Sequence, residues 1–94
     1  MDDLFEWDQE KAESNLAKHG VSFEEAITVF SDSLSLTISD PLHSVDENRF
    51  IITGHSILGR QIVVVHTDRG GKIRIISARL ATPAERKKYE RETD

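Results

Sequence analysis

The sequence predicts an α+β fold in a single domain spanning residues 1–94, and three observations carry that prediction. Two helix starts are written in capping residues, one at Ser22 and one at Thr82. Four runs rich in apolar and β-branched residues lie between them. The turns joining the last three runs are short and contain glycine, which reads as hairpins and therefore as an antiparallel sheet.

The elements follow in order. Leu4-Phe5-Glu6-Trp7 is a short strand candidate. Asp8 offers an N-cap for a helix reaching Lys18, and Gly20 is placed to end it in the left-handed conformation that costs glycine nothing. Ser22 then caps a second helix. Glu25, three residues on, is placed to reciprocate as a capping box, with Val21 and Ala26 as a hydrophobic staple. Phe23, Ala26, Ile27 and Phe30 keep a helical stripe, so one face is buried. Ser31-Asp32-Ser33 breaks the pattern. Strands are expected at residues 34–39, 49–55, 60–67 and 72–79, with turns at 40–48, 56–59 and 68–71. Residues 62–65, with Ile73, Ile75 and Ile76, place apolar groups on both faces, as central strands do. Simple alternation sets Arg79 on the opposite face from Arg74 and Ile76, beside Ile73, Ile75 and Ser77. Thr82-Pro83-Ala84-Glu85 spells a second capping box with proline at the first helical position, and a helix over 83–92. That helix is polar nearly all round, so it gains little from packing. It reads either as a solvated terminal helix or as a ligand surface.

Composition narrows the function classes. A chain of 94 residues buries only about 60–65% of its unfolded surface, so its core is thin. It has no cysteine, which excludes disulfides, thiolate metal sites and cysteine nucleophiles together. Acids at Asp2 and Asp3 stand where a signal peptide needs bases, and no run approaches the ~20 apolar residues of a membrane span. A cytoplasmic protein with no membrane partner is expected. The net charge of −5 conceals a reversal. Residues 54–91 hold nine Lys/Arg against three acids, a net +6, whereas residues 1–53 stand at −9. Screening hides distant acids within roughly 10 Å, so a polyanion meeting the C-terminal part experiences a positive field.

Arginine supplies a planar, permanently charged fork that fits phosphate oxygens. Arg69, Arg74, Arg79 and Arg86 fall on adjoining elements, and Arg79 at a strand end is placed to join Arg86 in the next helix. The alternative for Arg79 is a pair with Glu85 or Glu47. Tyr89, the single tyrosine, offers a stacking ring or a proton-bearing hydroxyl; equally it is a ring that docks the terminal helix. His19, His43, His55 and His66 make no metal-binding spacing, so no metal is expected. His66, at a strand end, is the acid–base candidate among them, against a plain strand-end hydrogen-bonding role. Trp7 reads as core. Phosphate loops and dinucleotide fingerprints are absent from the sequence, and no cofactor is expected.

Phe5-Glu6-Trp7-Asp8, Lys11, Asn15 and the run from Lys18 to Ala26 (KHGVSFEEA) resemble the opening signature of the BrnT family of bacterial toxins. The run from Arg74 to Glu90 (RIISARLATPAERKKYE) resembles its closing signature, and Glu47, Arg49, Gly54, Gly59 and Arg60 also fall in place. Ser33 departs from the proline of many members. The resemblance implies a RelE-like fold: an antiparallel sheet with two N-terminal helices packed on it and a C-terminal helix. It implies the toxin of a type II toxin–antitoxin pair that degrades RNA and arrests translation. The partner it implies is a BrnA-like antitoxin with a ribbon-helix-helix part, DNA being reached only through that antitoxin. Carried onto this chain, the active surface uses Arg79, with Arg86, Tyr89 and Arg69 as further candidates and Glu47 and Arg49 contributing. With His66 from the residue reading, these are the catalytic candidates. Arg49, Arg60, Arg74, Lys72, Lys87 and Lys88 are the RNA-contact candidates. The expected chemistry is metal-independent: the RNA 2′-hydroxyl attacks the adjacent phosphorus while arginines hold the charge. A non-catalytic RNA or ribosome binder and a protein-interaction module are the alternatives.

Overall fold

The computed structural model describes residues 3–41 and 48–93; Glu47 and His43 lie outside them. Strand β1 is Phe5–Glu6, followed by helix α1 (Gln9–His19) and helix α2 (Phe23–Thr28), which runs into a 3₁₀ turn at Val29–Ser31. Strands β2 (Leu36–Ser39), β3 (Arg49–His55), β4 (Gln61–Arg69) and β5 (Lys72–Leu80) follow, and helix α3 (Pro83–Thr93) closes the chain.

The caps behave largely as the sequence predicts. Asp8 Oδ1 accepts from Glu10 N at 2.8 Å and Lys11 N at 3.2 Å, and Gly20 ends α1 at φ 70°. Ser22 Oγ accepts from Glu25 N at 2.9 Å. The expected reciprocal bond from Glu25 is not made. Its carboxylate turns to Arg60 and Ser56 instead, because a charged, bidentate partner outcompetes a single backbone amide. At the start of α3 the box closes both ways: Thr82 N donates to Glu85 Oε1 at 2.9 Å, and Glu85 N donates to Thr82 Oγ1 at 3.2 Å.

The strands form one sheet in the order β1-β5-β4-β3-β2. The sheet is not wholly antiparallel. β1 joins β5 in parallel, Phe5 opposite Ile73 and Glu6 opposite Arg74. The helices between β1 and the rest of the sheet let the first strand return to an edge, as a parallel neighbour requires. α1 and α2 cover one face, where Val21, Phe23, Ala26, Val29, Ile62, Val64, Ile75 and Ala78 are buried. Each large aliphatic or aromatic side chain there contributes about 1.5–3 kcal/mol. Asn15 stitches α1 to this core. Its amide nitrogen donates to Val21 O at 3.0 Å and Ala78 O at 2.8 Å, and its oxygen accepts from Ala78 N at 3.2 Å. Gly54 is required by close approach, since a Cβ there would stand 2.9 Å from Ser35 Cβ and 3.0 Å from Asp32 Oδ2. Gly70 and Gly71, at φ 57° and 83°, make the two-residue turn between β4 and β5 that needs positive φ at both positions.

A β-bulge reverses one expectation. Val65 pairs with Ser77, but the next residue, His66, pairs with Ile75, so Ile76 is the extra residue. Directly paired residues share a face. Val63, Val65, Thr67 and Arg69 therefore share the outer face with their partners Arg79, Ser77, Arg74 and Lys72. Arg74 and Arg79 are thus on the same face, not on opposite ones. The register continues to Arg49, Ile51, Thr53 and His55 on β3 and to Leu36 and Ile38 on β2. All five strand Lys/Arg of the described residues end on the face away from α1 and α2. Among the described residues, no helix is long and apolar enough to cross a membrane.

Candidate functional site

Helix α3 lies over one end of the outer face. Arg86, Lys87, Lys88 and Arg91 on it are exposed, while Tyr89 is 4% exposed. The hydroxyl of Tyr89 donates to Asp32 Oδ2 at 2.8 Å, and its ring meets that of His55 edge-on with centroids 5.4 Å apart. Burial, reinforced by the Asp32 carboxylate, pushes the Tyr89 phenol up to about 12. Asp32 is the anchor. Burial works to raise its pKa, but hydrogen bonds from His55 N (2.8 Å), Leu34 N (3.0 Å) and Tyr89 prevail, and the carboxyl is held below its ordinary value.

Between α3 and the sheet lies a groove of about 240 Å³. Its floor is aliphatic (Leu36, Ile38, Ile51, Val63, Val65), Thr53 and Ser77 add hydroxyls, and Arg79, Glu85, Lys88 and Tyr89 form the α3 side. Arg79 is held by Glu85 through two bonds, Nη1–Oε1 at 2.7 Å and Nη2–Oε2 at 2.8 Å. This fork, with the Thr82 amide, lowers the Glu85 carboxyl to about 2. Both side chains remain over a third exposed, so solvent and a competing anion can reach the pair. On the other side of α3 a second recess is lined by His55, Arg60, Gln61, Leu80, Arg86 and Glu90.

The sequence candidates separate into groups. Arg79, Lys88 and Tyr89 share the groove, and Arg86 stands at the second recess. Arg74 is on the same sheet face but pairs with Glu6 at 3.1 Å. Arg49 occupies the far end of that face, opposite Thr67. Arg69 and Lys72 face each other at the hairpin. Six positions along β4 separate Arg69 from Val63, the partner of Arg79, or about 20 Å at strand rise, so Arg69 does not join Arg79 in one site. Arg60 is the base that points the other way. Its Nε donates to Glu25 Oε2 at 2.9 Å and its Nη2 to Gly20 O at 3.0 Å and to Glu25 Oε1. It ties the β3–β4 turn to the α1–α2 junction and is first a structural clamp.

Two proton-transfer candidates are buried. His66 faces the helix side, wedged between Phe30 (centroids 4.9 Å) and Phe50 (5.6 Å). Both its ring nitrogens are buried without a hydrogen-bond partner among the described residues, and burial lowers its pKa. It does not reach the groove. Tyr89 is the docking ring of α3, and its proton is committed to Asp32. The sequence reading missed Asp32 and His55 as site residues. Asp32 read only as part of a helix breaker, and no local pattern links it to a tyrosine 57 positions later. Among the described residues, no three His, Asp or Glu side chains gather where a metal ion could be held.

Comparisons with known proteins follow the same lines. The family described as "Ribonuclease toxin, BrnT, of type II toxin-antitoxin system" matches residues 7–85. The crystal structure of the Brucella abortus ribonuclease toxin BrnT superposes with a TM-score of 0.64 at 25% identity, over 81% of this chain and 92% of that one. No curated protein matches. The family match stops at Glu85, so most of α3 lies beyond it.

Proposed function

This chain belongs to the BrnT toxin family, and from that premise we propose that it acts as a metal-independent endoribonuclease that degrades RNA and arrests translation. The observation that carries the reading is the sidedness of charge. Arg49, Arg69, Lys72, Arg74 and Arg79 share the open sheet face, and α3 adds Arg86, Lys87, Lys88 and Arg91 on the same side. The acids Glu10, Glu13 and Glu24 are carried by α1 and α2 on the other side, while Glu6 and Glu85 sit on the basic side, paired with Arg74 and Arg79. A single strand laid across the sheet and along α3 would release counterions at each phosphate it contacts. The groove beside Arg79 would seat the RNA next to the recess at Arg86, where the scissile phosphate would lie. In such a reaction the 2′-oxygen attacks phosphorus and the arginine forks stabilise the charge that grows on the phosphate oxygens. Catalytic work rests with Arg79 and Arg86 in this reading, and RNA contact with Arg49, Arg74, Lys72, Lys87 and Lys88. The physiological setting is the cytoplasm, with a BrnA-like antitoxin as the neutralising partner.

Purified protein should cut RNA in EDTA and leave 2′-O-methylated RNA bound and intact. Cleavage of the methylated RNA, or loss of activity in EDTA, contradicts the mechanism. One observation favours the binder alternative: Arg79 is already engaged by Glu85. New RNA ends on a sequencing gel favour the nuclease. Translational arrest without new ends favours the binder.

A further inference from the structure

We infer that His55 is the proton-accepting group of this site, a role that rests on the nuclease reading above. Three placements lead to it. His55 ends β3 on the basic outer face, in register with Arg49, Ile51 and Thr53. Among the other described histidines, His66 points to the helix side, and His19 closes α1 at the opposite layer. The side chain of His55 is 51% exposed and forms a wall of the recess that also receives Arg60, Arg86 and Glu90.

The surroundings of the ring are those a base requires. Asp32 Oδ2 stands 3.8 Å from His55 Nδ1, and Asp32 is fixed by the Leu34 amide, the His55 amide and the Tyr89 hydroxyl. A carboxylate on that side favours the tautomer with hydrogen on Nδ1 and supports the imidazolium formed when Nε2 takes a proton. The distance exceeds a hydrogen bond, and such contacts commonly tighten when substrate binds. The Tyr89 ring limits rotation of the imidazole from one side. Arg86 on α3 supplies a cation at the same recess for the phosphate. Glu90, Asp32 and Tyr89 are the other ionisable groups facing His55; Arg60 borders the recess, but its guanidinium turns to Glu25.

The step balances without a metal or redox partner. His55 Nε2 takes the proton of the RNA 2′-hydroxyl, and the 2′-oxygen forms a bond to the adjacent phosphorus. The bond from phosphorus to the 5′-oxygen breaks, and that oxygen leaves as an alcohol after taking a proton from water; the hydroxide left behind takes the proton from His55 and regenerates the base. The products are a 2′,3′-cyclic phosphate end and a 5′-hydroxyl end.

The test compares wild type with His55→Gln, which keeps the backbone amide bonded to Asp32. Single-turnover cleavage should fall by about 10²–10⁴-fold, and affinity for 2′-O-methyl RNA should stay within about twofold. If His55→Gln unfolds, His55→Ala is assayed with added imidazole, which should restore part of the rate. Wild type that cleaves while His55→Gln keeps its rate overturns the role of His55 and leaves the nuclease reading intact. Wild type that leaves RNA uncut overturns both.

Discussion

Replacing Glu85 by glutamine should weaken the fold slightly and tighten RNA binding, two effects of opposite sign from one atom. Glutamine keeps an oxygen for the Thr82 amide, so the capping box survives. What is lost is the charge that holds Arg79 at 2.7 and 2.8 Å. Arg79 and Glu85 are 41% and 37% exposed, so solvent screens the pair and its contribution to stability is about 0.5–1 kcal/mol. In a domain of this size that lowers Tm by about 2–8 °C. The gain for RNA has two sources. Arg79 no longer has to leave a carboxylate, and a phosphate seated on it no longer faces a like charge roughly 6 Å away, a repulsion of about 0.7 kcal/mol in water and more near the protein. Together these amount to about 1–2 kcal/mol, or roughly five- to thirty-fold in affinity. The assay is fluorescence anisotropy with a short 2′-O-methyl RNA at about 50 and about 200 mM salt, where one added phosphate contact steepens the log–log slope by about 0.7. Affinity and slope equal to wild type in Glu85→Gln, with Arg79→Ala equally silent, would remove Arg79 from the RNA path.

Further outcomes follow from the same geometry. Tyr89→Phe keeps the ring against His55 but leaves Asp32 without its phenolic donor, and should cost about 1.5–3 kcal/mol in chemical denaturation; RNA cleavage should survive at a temperature where the variant is folded. Asn15→Ala strands the Ala78 amide and two carbonyl oxygens in the core, and a loss of about 2–4 kcal/mol is expected in urea. His66 has its folded pKa lowered by burial, so the unfolded chain binds its proton more readily. Its contribution to stability is intact above the ordinary histidine value and is lost as pH falls below about 6.5. Urea midpoints should drop between pH 7.5 and 5.5 for wild type, and His66→Phe should flatten that step; an equal step in the variant would assign it to other groups.

The sequence by itself determined what is local. Asp8, Ser22 and Thr82 fix where helices begin because a cap needs only residues within one turn, and Gly20 fixes where α1 ends. Strand positions followed from apolar runs and glycine turns, and the family signature extended these elements to the fold. Tertiary structure alone decided which faces and partners those elements use. One extra residue at Ile76 moves Arg74 onto the face of Arg79, and a bulge has no signature in alternation, since the strand reads the same until its register with β4 is known. β1 became a parallel edge because the chain returns to the sheet after two helices. Glu25 abandoned its local amide for Arg60, and Tyr89 met Asp32 across 57 positions. Such contacts are set by where whole elements come to rest, and a charged or buried partner supplied from afar outweighs the short-range preference visible in the chain.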